Sequence, residues 1–591
     1  MQKLFLLLII AFSFSACKLS NSNQHQTPNA ELGFLLDKYY EEYIQLFPLN
    51  ATTNGDNRYN DKLYADFTDT YRNQLRAFYN KYKAYVSKFD YNELTANDKI
   101  SVDVLNNEID IALKGLEQID NLMPLNQFYG MHLTIAQFGS GEGVQPFKTK
   151  TDYYNWISRA SAFNSYIDSA IIYFKKGMAD SIVLPESLVK KIIPQCADMM
   201  VMDVTKSLFW GPVQKMPTSF SASLKDSITK DYTLLINNQL IPAYTKLHQF
   251  LQSTYLPLAR KTSGLSNLKN GNKYYDYLVK YWTTTNKTPE EIYQTGLNEV
   301  ARIKTEMENV KAQVGFKGDL KAFFDFMKKD KQFTPFKTDE EVITAFKNIQ
   351  SRIDTNLKKM FINTPKTKFE IRQTEAFREA SASAEYVQGS ADGSRPGIFY
   401  VPIIDAKTFN STSGMESLFL HEAIPGHHYQ VSLQQENTSL PKFRRFLWYG
   451  AYGEGWALYT ESLGKELGLY TDPYQYMGAL GDEMHRAIRL VVDVAIHTKN
   501  MTREQAIAYM MENEQISEQG ATAEIERYMA IPAQALSYKT GSLQIKAWRE
   551  KYTKQLGSKF SLAKFHDTFL STGCLPLLVA EKNLDAWAEK L

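Results

Sequence analysis

The segment His421-Glu422-Ala423-Ile424-Pro425-Gly426-His427-His428 holds three of the chain's nine histidines beside a glutamate. Neutral imidazoles bind zinc, and a carboxylate next to the metal can act as the general base for a water molecule. Helix capping or packing would explain one isolated histidine better than it explains this cluster. The segment therefore predicts one Zn²⁺ ion and a hydrolytic reaction in which Glu422 is the base.

The spacing of these histidines differs from the usual His-Glu-x-x-His pattern, in which the second ligand follows four residues after the first. Proline occupies that position here, and because proline cannot donate an amide hydrogen, it predicts a kink in the helix. On a straight helix His428 would share a face with His421. If Pro425-Gly426 acts instead as a two-residue insertion, His427 becomes the ligand. We favour His427 and keep His428 as the alternative.

A third ligand is expected from the aromatic, glycine-rich segment 448–461, in which Glu454 and Glu461 lie seven residues apart. That spacing places both carboxylates on one face of a helix. One could bind the metal while the other accepts the ring N–H of a liganding histidine. A solvated glutamate pair on an amphipathic helix is the alternative interpretation.

The stretch from Gly453 to Ala457 resembles the Asn-Glu-Gly-Phe-Ala sequence that provides the glutamate ligand of gluzincin metallopeptidases, with Gly453 in place of the asparagine. By this resemblance Glu454 binds the metal, and Glu461 does not bind it but contacts a liganding histidine. Together with the Pro-Gly-His-His variant, the chain resembles domain-of-unknown-function family 885 from about Glu31 to its C-terminus. The resemblance implies a mainly α-helical, zincin-like body that acts on peptides. Further matching pieces are 47–52, 392–400, 489–493 with His497, and Arg527-Tyr528 with Tyr538.

Several residues of the C-terminal half are candidates for contact with a substrate. The predicted helix from Asp482 to His497 carries Arg486 and Arg489 among apolar residues, and a packed arginine requires a partner. We predict that Arg489 receives a substrate carboxylate and that a tyrosine stabilises the oxyanion. A merely salt-bridged helix face is the alternative. The predicted catalytic residues besides Glu422 are Arg489, Tyr528 and Tyr538, and the predicted substrate-binding residues are Arg395, Tyr400, His497 and Arg527.

Extended structure is predicted immediately before the metal motif, at 384–387 and 398–401, on either side of a segment rich in turn residues. An edge strand beside the metal would hold an extended peptide through main-chain hydrogen bonds. A surface hairpin without a ligand fits the same pattern.

The rest of the chain predicts one large helical body. Across 591 residues there is no Gly/Ser linker, charged tract or repeat. The formal charge is +2, and the lysines and arginines are interspersed with aspartates and glutamates, so the sequence shows no basic patch for nucleic acid. We expect a helical scaffold to about residue 380, followed by the metal site and substrate cleft in 381–591. Helices are predicted to start after Thr288 and Thr338, each followed three residues later by a glutamate.

The N-terminus predicts export. A short basic head and an apolar run to Phe14 are typical of a signal peptide, assigned to residues 1–16. Phe14-Ser15-Ala16-Cys17 resembles a lipobox, so Cys17 is expected to carry lipid, with a polar tether to about residue 30. A simple signal peptide is the alternative. The two later cysteines, Cys196 and Cys574, are expected to be separate buried thiols, with a disulfide left open.

These observations predict an exported lipoprotein, on the periplasmic or cell-surface side of a bacterial membrane, that cleaves peptide bonds with zinc. Two alternatives remain at this point. The protein could bind peptides without cutting them, or it could hydrolyse a non-peptide amide or ester by the same chemistry.

Overall fold

The computed structural model describes residues 27–375, 383–389, 395–412 and 414–591. Within these ranges the protein is mainly α-helical with one small β-sheet, which confirms the predicted fold class. The predicted signal peptide and Cys17 lie outside the described residues. None of the described helices is both long and apolar enough to cross a membrane.

The helices before the sheet form the N-terminal scaffold. Two of them begin where the sequence predicts, because the side chains of Thr288 and Thr338 accept hydrogen bonds from the amides of Glu291 and Glu341. The α-helices are α1 Ala30–Leu46, α2 Pro48–Thr53, α3 Asp69–Val86, α4 Ala96–Gly115, α5 Met131–Gly139, α6 Lys150–Ser161, α7 Phe163–Ala179, α8 Glu186–Ala197, α9 Gly211–Gln214, α10 Ala222–Leu235, α11 Ile241–Phe250, α12 Gly271–Thr283, α13 Pro289–Gln313, α14 Leu320–Lys329 and α15 Asp339–Met360.

The helices after the sheet carry the metal motif and most of the predicted site residues. They are α16 Met415–Leu418, α17 His427–Glu436, α18 Lys442–Arg445, α19 Gly450–Glu461, α20 Gly464–Leu467, α21 Pro473–Thr498, α22 Arg503–Asn513, α23 Glu518–Ala530, α24 Ser537–Leu556, α25 Leu562–Leu570 and α26 Leu577–Ala588. The long helix α21 packs along α13, and α19 packs along α24.

The sheet has three strands, β1 Phe369–Gln373, β2 Glu385–Val387 and β3 Gly397–Val401, in the order β1-β3-β2. β1 runs parallel to the central strand β3, whereas β2 runs antiparallel to it. The two extended segments predicted from the sequence are therefore confirmed as β2 and β3. β1 was not predicted. Because β2 is an outer strand of this sheet, one of its edges is turned away from β3.

One hydrophobic core joins the two ends of the chain. It contains Leu36 from α1, Phe346 from α15, Trp456 from α19 and Phe569 from α25. The helices that carry the metal motif are thus packed against the N-terminal scaffold. Cys196 and Cys574 are buried free thiols in different cores, which confirms separate thiols.

Candidate metal centre

The metal motif lies where one helical segment ends and another begins. His421 and Glu422 occupy a π-helical segment, Phe419–Ala423, that follows α16. Ile424 has an extended conformation, and His427 is the first residue of α17. The helix therefore stops before the Pro425-Gly426 pair, as the sequence predicts, and a new helix begins at His427.

This interruption brings three possible ligands together. The Nε2 atoms of His421 and His427 lie 3.5 Å and 3.4 Å from the same oxygen, Oε2 of Glu454. All three ligand atoms lie within 4.8 Å of one another, and no other such group of three is found in the part of the chain that the structure describes.

The separations of 3.5 Å and 3.4 Å between the histidine nitrogens and the glutamate oxygen are close to those that a tetrahedral ion requires. Ligand atoms 2.0–2.1 Å from a tetrahedral zinc lie about 3.3 Å apart. Two imidazoles and one carboxylate also form a common ligand set of catalytic zinc sites, with a fourth position left for water or substrate. The residues present therefore fit a zinc ion.

Glu461 fixes the orientation of His421. Its Oε1 lies 2.7 Å from His421 Nδ1, and both side chains are buried. An Nδ1–H that donates to this carboxylate leaves the lone pair of Nε2 directed at the metal position. Although burial lowers the pKa of His421, Glu454 and Glu461 outweigh it and raise that pKa well above its usual value. Metal binding would therefore displace a proton from this imidazole.

The helix α19 supplies more than the ligand Glu454. The hydroxyl of Thr460 donates to the carbonyl of Leu420 at 2.8 Å, and the indole of Trp456 donates to the carbonyl of Pro425 at 2.9 Å. Leu420 lies before the helix interruption, and Pro425 lies within it. Side chains of α19 thus replace helical hydrogen bonds that the broken backbone cannot make.

Gly453, which departs from the gluzincin pattern, is explained by Trp448. A Cβ atom at Gly453 would lie 2.2 Å from the indole ring of Trp448. That ring lies 5.8 Å from the His427 ring, measured between centroids, and lines the cavity in front of the metal position. An asparagine at 453 would require the indole to move.

His428, the alternative ligand, points elsewhere. Its Nδ1 lies 3.0 Å from the hydroxyl of Tyr386, and its ring packs 4.9 Å from that of Phe369 in β1. Burial lowers its pKa to about 4. His428 therefore packs against the sheet, and its position does not support the prediction that it binds the metal.

Glu422 lies beside the triad and is held by the sheet. The amide of Tyr386 in β2 donates to Glu422 Oε2 at 2.9 Å. Burial raises the pKa of Glu422, and the charge of Glu454 acts in the same direction, whereas the neighbouring histidines oppose the shift. A carboxylate of raised pKa, next to a metal position, suits a group that must both accept and return a proton.

The triad opens into a cavity of about 830 Å³, a volume typical of ligand-binding sites. Residues 383–388, which include β2, border it, so the outer strand of the three described strands lies beside the metal position. Arg489, Arg527 and Tyr538 line the same cavity, as the sequence analysis expected of substrate-contacting residues.

Other predicted site residues lie outside the lining of the cavity. Tyr528 is fully buried, and its hydroxyl accepts from Arg489 Nε at 2.8 Å, so it positions Arg489. His497 is also fully buried and contacts the backbone of Leu265 and Tyr528. Arg395 and Tyr400 do not line the cavity either. These positions do not support direct contact with substrate.

Sequence reasoning did not identify several residues that line the cavity. Glu524 carries the one available signal, because it precedes Arg527 by three residues on a helix and such residues form pairs. No local pattern distinguishes the others from core or surface residues. The cavity-lining residues that the sequence analysis missed are Tyr386, Trp448, His485 and Glu524.

Comparison with known proteins places the chain in a family. Residues 48–584 match the family described as bacterial protein of unknown function, DUF885. The chain belongs to the DUF885 family. None of the curated protein sequences matches this DUF885 protein.

Two solved structures share the fold of this chain, and a third matches it only weakly. A candidate lipoprotein from Colwellia psychrerythraea has 28% identity and a TM-score of 0.85, over 95% of this chain and 99% of that one. A candidate lipoprotein of unknown function from Shewanella oneidensis has 20% identity and a TM-score of 0.73, over 94% and 99%. A carboxypeptidase from Pyrococcus furiosus reaches 10% identity and a TM-score of 0.41, over 96% and 99%, which is too low to support a functional inference.

The interruption of the metal helix depends on Gly426. A Cβ atom there would lie 1.9 Å from the carbonyl oxygen of His421 and 2.3 Å from that of Leu420. We predict that Gly426→Ala lowers the free energy of unfolding by about 2 kcal/mol or more, because backbone atoms must move. Chemical denaturation of the soluble domain measures the change.

The matched control is Gly33→Ala in α1, where nothing lies within 4 Å of the new Cβ atom. This control is expected to be neutral or stabilising by up to about 1 kcal/mol. Equal stability of the two variants would contradict the structural role assigned to Gly426.

Proposed function

We propose that this DUF885 protein is a zinc-dependent hydrolase that cleaves peptide bonds. The observation that carries the proposal is the convergence of two imidazole Nε2 atoms on one carboxylate oxygen, inside a cavity that Glu422 also lines. His421, His427 and Glu454 would hold the ion. Zinc bound there supplies a Lewis acid for a carbonyl group and lowers the pKa of water.

Glu422 is the residue that moves the proton. It accepts a proton from the attacking water and then donates it to the nitrogen of the leaving amine. The hydrogen bond from the amide of Tyr386 holds one carboxylate oxygen and so restricts the position of the group. Tyr538 and Arg489, which line the cavity, are the candidates to stabilise the oxyanion, and Tyr528 would act through Arg489.

The edge of β2 favours a peptide as the substrate. Tyr386 directs its amide away from β3 and toward Glu422, so its carbonyl is also directed away from β3. An extended chain could donate a hydrogen bond to this carbonyl and lie beside the metal position, while the amide of Tyr386 stays with Glu422. A small non-peptide amide would not extend along this strand as a peptide chain can.

We also propose that the protein is exported and anchored through Cys17. The lipobox-like sequence and the description of two structural relatives as candidate lipoproteins support this proposal. Labelling of producing cells with a fatty-acid analogue is expected to mark the wild-type protein and not Cys17→Ala. Labelling of both proteins alike, or of neither, would contradict the anchor.

The metal ligands can be tested by metal content. Wild-type protein is expected to bind one zinc ion, and His421→Ala, His427→Ala and Glu454→Ala to lose it, because each removes a donor atom. Glu461→Gln should weaken the affinity by roughly 10–100-fold, since it alters the partner that orients His421. Elemental analysis and competition with a chelator measure these changes.

His428→Ala is the matched control for the metal test, because this neighbouring histidine contacts Tyr386 instead of the triad. It is expected to keep its zinc. Loss of zinc from His428→Ala, together with retention in His427→Ala, would reverse the ligand assignment.

The general base can be tested separately from the metal. Glu422→Gln is expected to keep zinc and to reduce the rate of peptide cleavage by at least about 100-fold, because the amide cannot accept the proton. Digestion of a peptide library followed by mass spectrometry measures the rate. Glu466→Gln, which changes an exposed carboxylate paired with Arg549, is the control and should cleave normally.

Full activity of Glu422→Gln would exclude the proposed mechanism. If wild-type protein instead bound peptides tightly and cut none, the protein would be a peptide-binding lipoprotein. Cleavage of small amides or esters without cleavage of peptides would assign it a non-peptide substrate.

A further inference from the structure

The wall of the cavity formed by α21 and α23 carries more positive charge than its own acidic residues neutralise. Arg486 and Arg489 lie on α21, and Arg527 lies on α23. One carboxylate, Glu524, serves two of these guanidinium groups, at 2.9 Å from Arg489 Nη2 and 3.6 Å from Arg527 Nη1. This wall of the cavity therefore has one carboxylate, that of Glu524, for three guanidinium groups.

The other acidic residues nearby have partners of their own. Glu514 lies 2.8 Å from His485 Nδ1. Asp482, one turn before Arg486, accepts a hydrogen bond from the neutral hydroxyl of Ser417 at 2.6 Å; burial raises its pKa to about 7, although the nearby charge of Arg486 opposes this shift. Neither carboxylate forms an ion pair with Arg486.

Arg486 is the arginine of this wall that the chain leaves unpaired. Among the described residues, no carboxylate lies within ion-pair distance of its guanidinium group, and its Nε–H has no hydrogen-bond partner. The group stacks over the ring of Tyr538 at 4.9 Å, and Arg489 lies 5.0 Å from the same ring centroid. Stacking on an aromatic ring leaves the planar edge of a guanidinium free for another ligand.

We propose that Arg486, backed by the positive charge of Arg489 and Arg527, binds a carboxylate of the substrate. This inference rests on the proposed hydrolase function, because it concerns the same cavity. Guanidinium and carboxylate groups form two parallel hydrogen bonds, and these are stronger when both partners are charged. An unpaired cation in a partly enclosed cavity is costly, so a substrate that brings the missing anion is favoured over a neutral one.

The carboxylate can come from the C-terminus of a peptide or from an acidic side chain. Both present the same two oxygens to Arg486. A C-terminal group would make the enzyme remove residues from the end of a chain, whereas a side chain would make it select a sequence.

Three peptides that share one neutral core distinguish these sources. The first has a free C-terminal carboxylate, the second has a C-terminal amide, and the third has the amide plus one glutamate. Wild-type protein is expected to cleave the first or the third with a kcat/KM at least about tenfold above that of the second, from one charge-assisted contact. The preferred peptide identifies the source.

Arg486→Gln should remove this preference, so that the kcat/KM ratio between the preferred carboxylate peptide and the neutral amide peptide falls to about one; the ratio is used because Arg486 also stacks on Tyr538 and its loss can change cleavage of both peptides alike. Most of the loss is expected in KM, because the contact lies away from the reacting carbonyl. Arg486→Lys should retain part of the preference, since lysine keeps the charge but not the paired donors. Arg549→Gln, at an arginine paired with Glu466 outside the cavity, is the control and should keep the full preference.

Failure of this inference and failure of the hydrolase proposal give different results. If wild-type protein cut all three peptides alike, or if Arg486→Gln kept the preference, carboxylate binding by Arg486 would be wrong while the hydrolase stood. If no peptide were cut, the hydrolase would fail. Calorimetric titration of the same three peptides against Glu422→Gln and the double variant with Arg486→Gln would then test carboxylate binding alone, and equal affinities would overturn it.

Discussion

Two histidines six residues apart cannot reach one metal ion from a straight α-helix, because at about 100° per residue they point in widely different directions. This constraint shapes the whole site. The chain meets it by ending one helical segment after Ala423 and starting another at His427. Proline and glycine make the interruption possible, since one cannot continue the hydrogen-bond ladder and the other has no side chain to strike the preceding turn.

A broken helix leaves backbone carbonyls without partners, and α19 provides them. Thr460 and Trp456 donate to the carbonyls of Leu420 and Pro425. Glu454 lies near Nε2 of both His421 and His427, and Glu461 contacts Nδ1 of His421. One helix thus holds the ligand Glu454, the carboxylate that orients His421, and two side chains that support the broken backbone. Close packing keeps that helix in place, because a Cβ atom on Gly455 would lie 2.6 Å from the backbone of Gly541 in α24.

The sequence was informative where chemistry depends on local spacing. The clustered histidines, the seven-residue interval between Glu454 and Glu461 and the capping threonines all act within a few turns. It favoured His427 but kept His428 as an alternative, because one residue changes the direction by about 100° and the outcome depends on how the second helix packs against β1. It also misplaced His497, whose burial beneath α23 is a tertiary property, and it gave no sign of β1.

The two sides of the cavity differ in charge, and this difference has a structural origin. On the metal side, Glu461 is buried and Glu422 and Glu454 are partly buried near the imidazoles, and a divalent cation would offset their charge. On the other side, Tyr528 and Glu524 hold the guanidinium group of Arg489 in place. That group therefore cannot move away from the neighbouring guanidinium group of Arg486. Burying like charges together is unfavourable in a folded protein unless an opposite charge compensates for them. The chain supplies that charge once, through Glu524, and the rest of the compensation must come from solvent or from what binds.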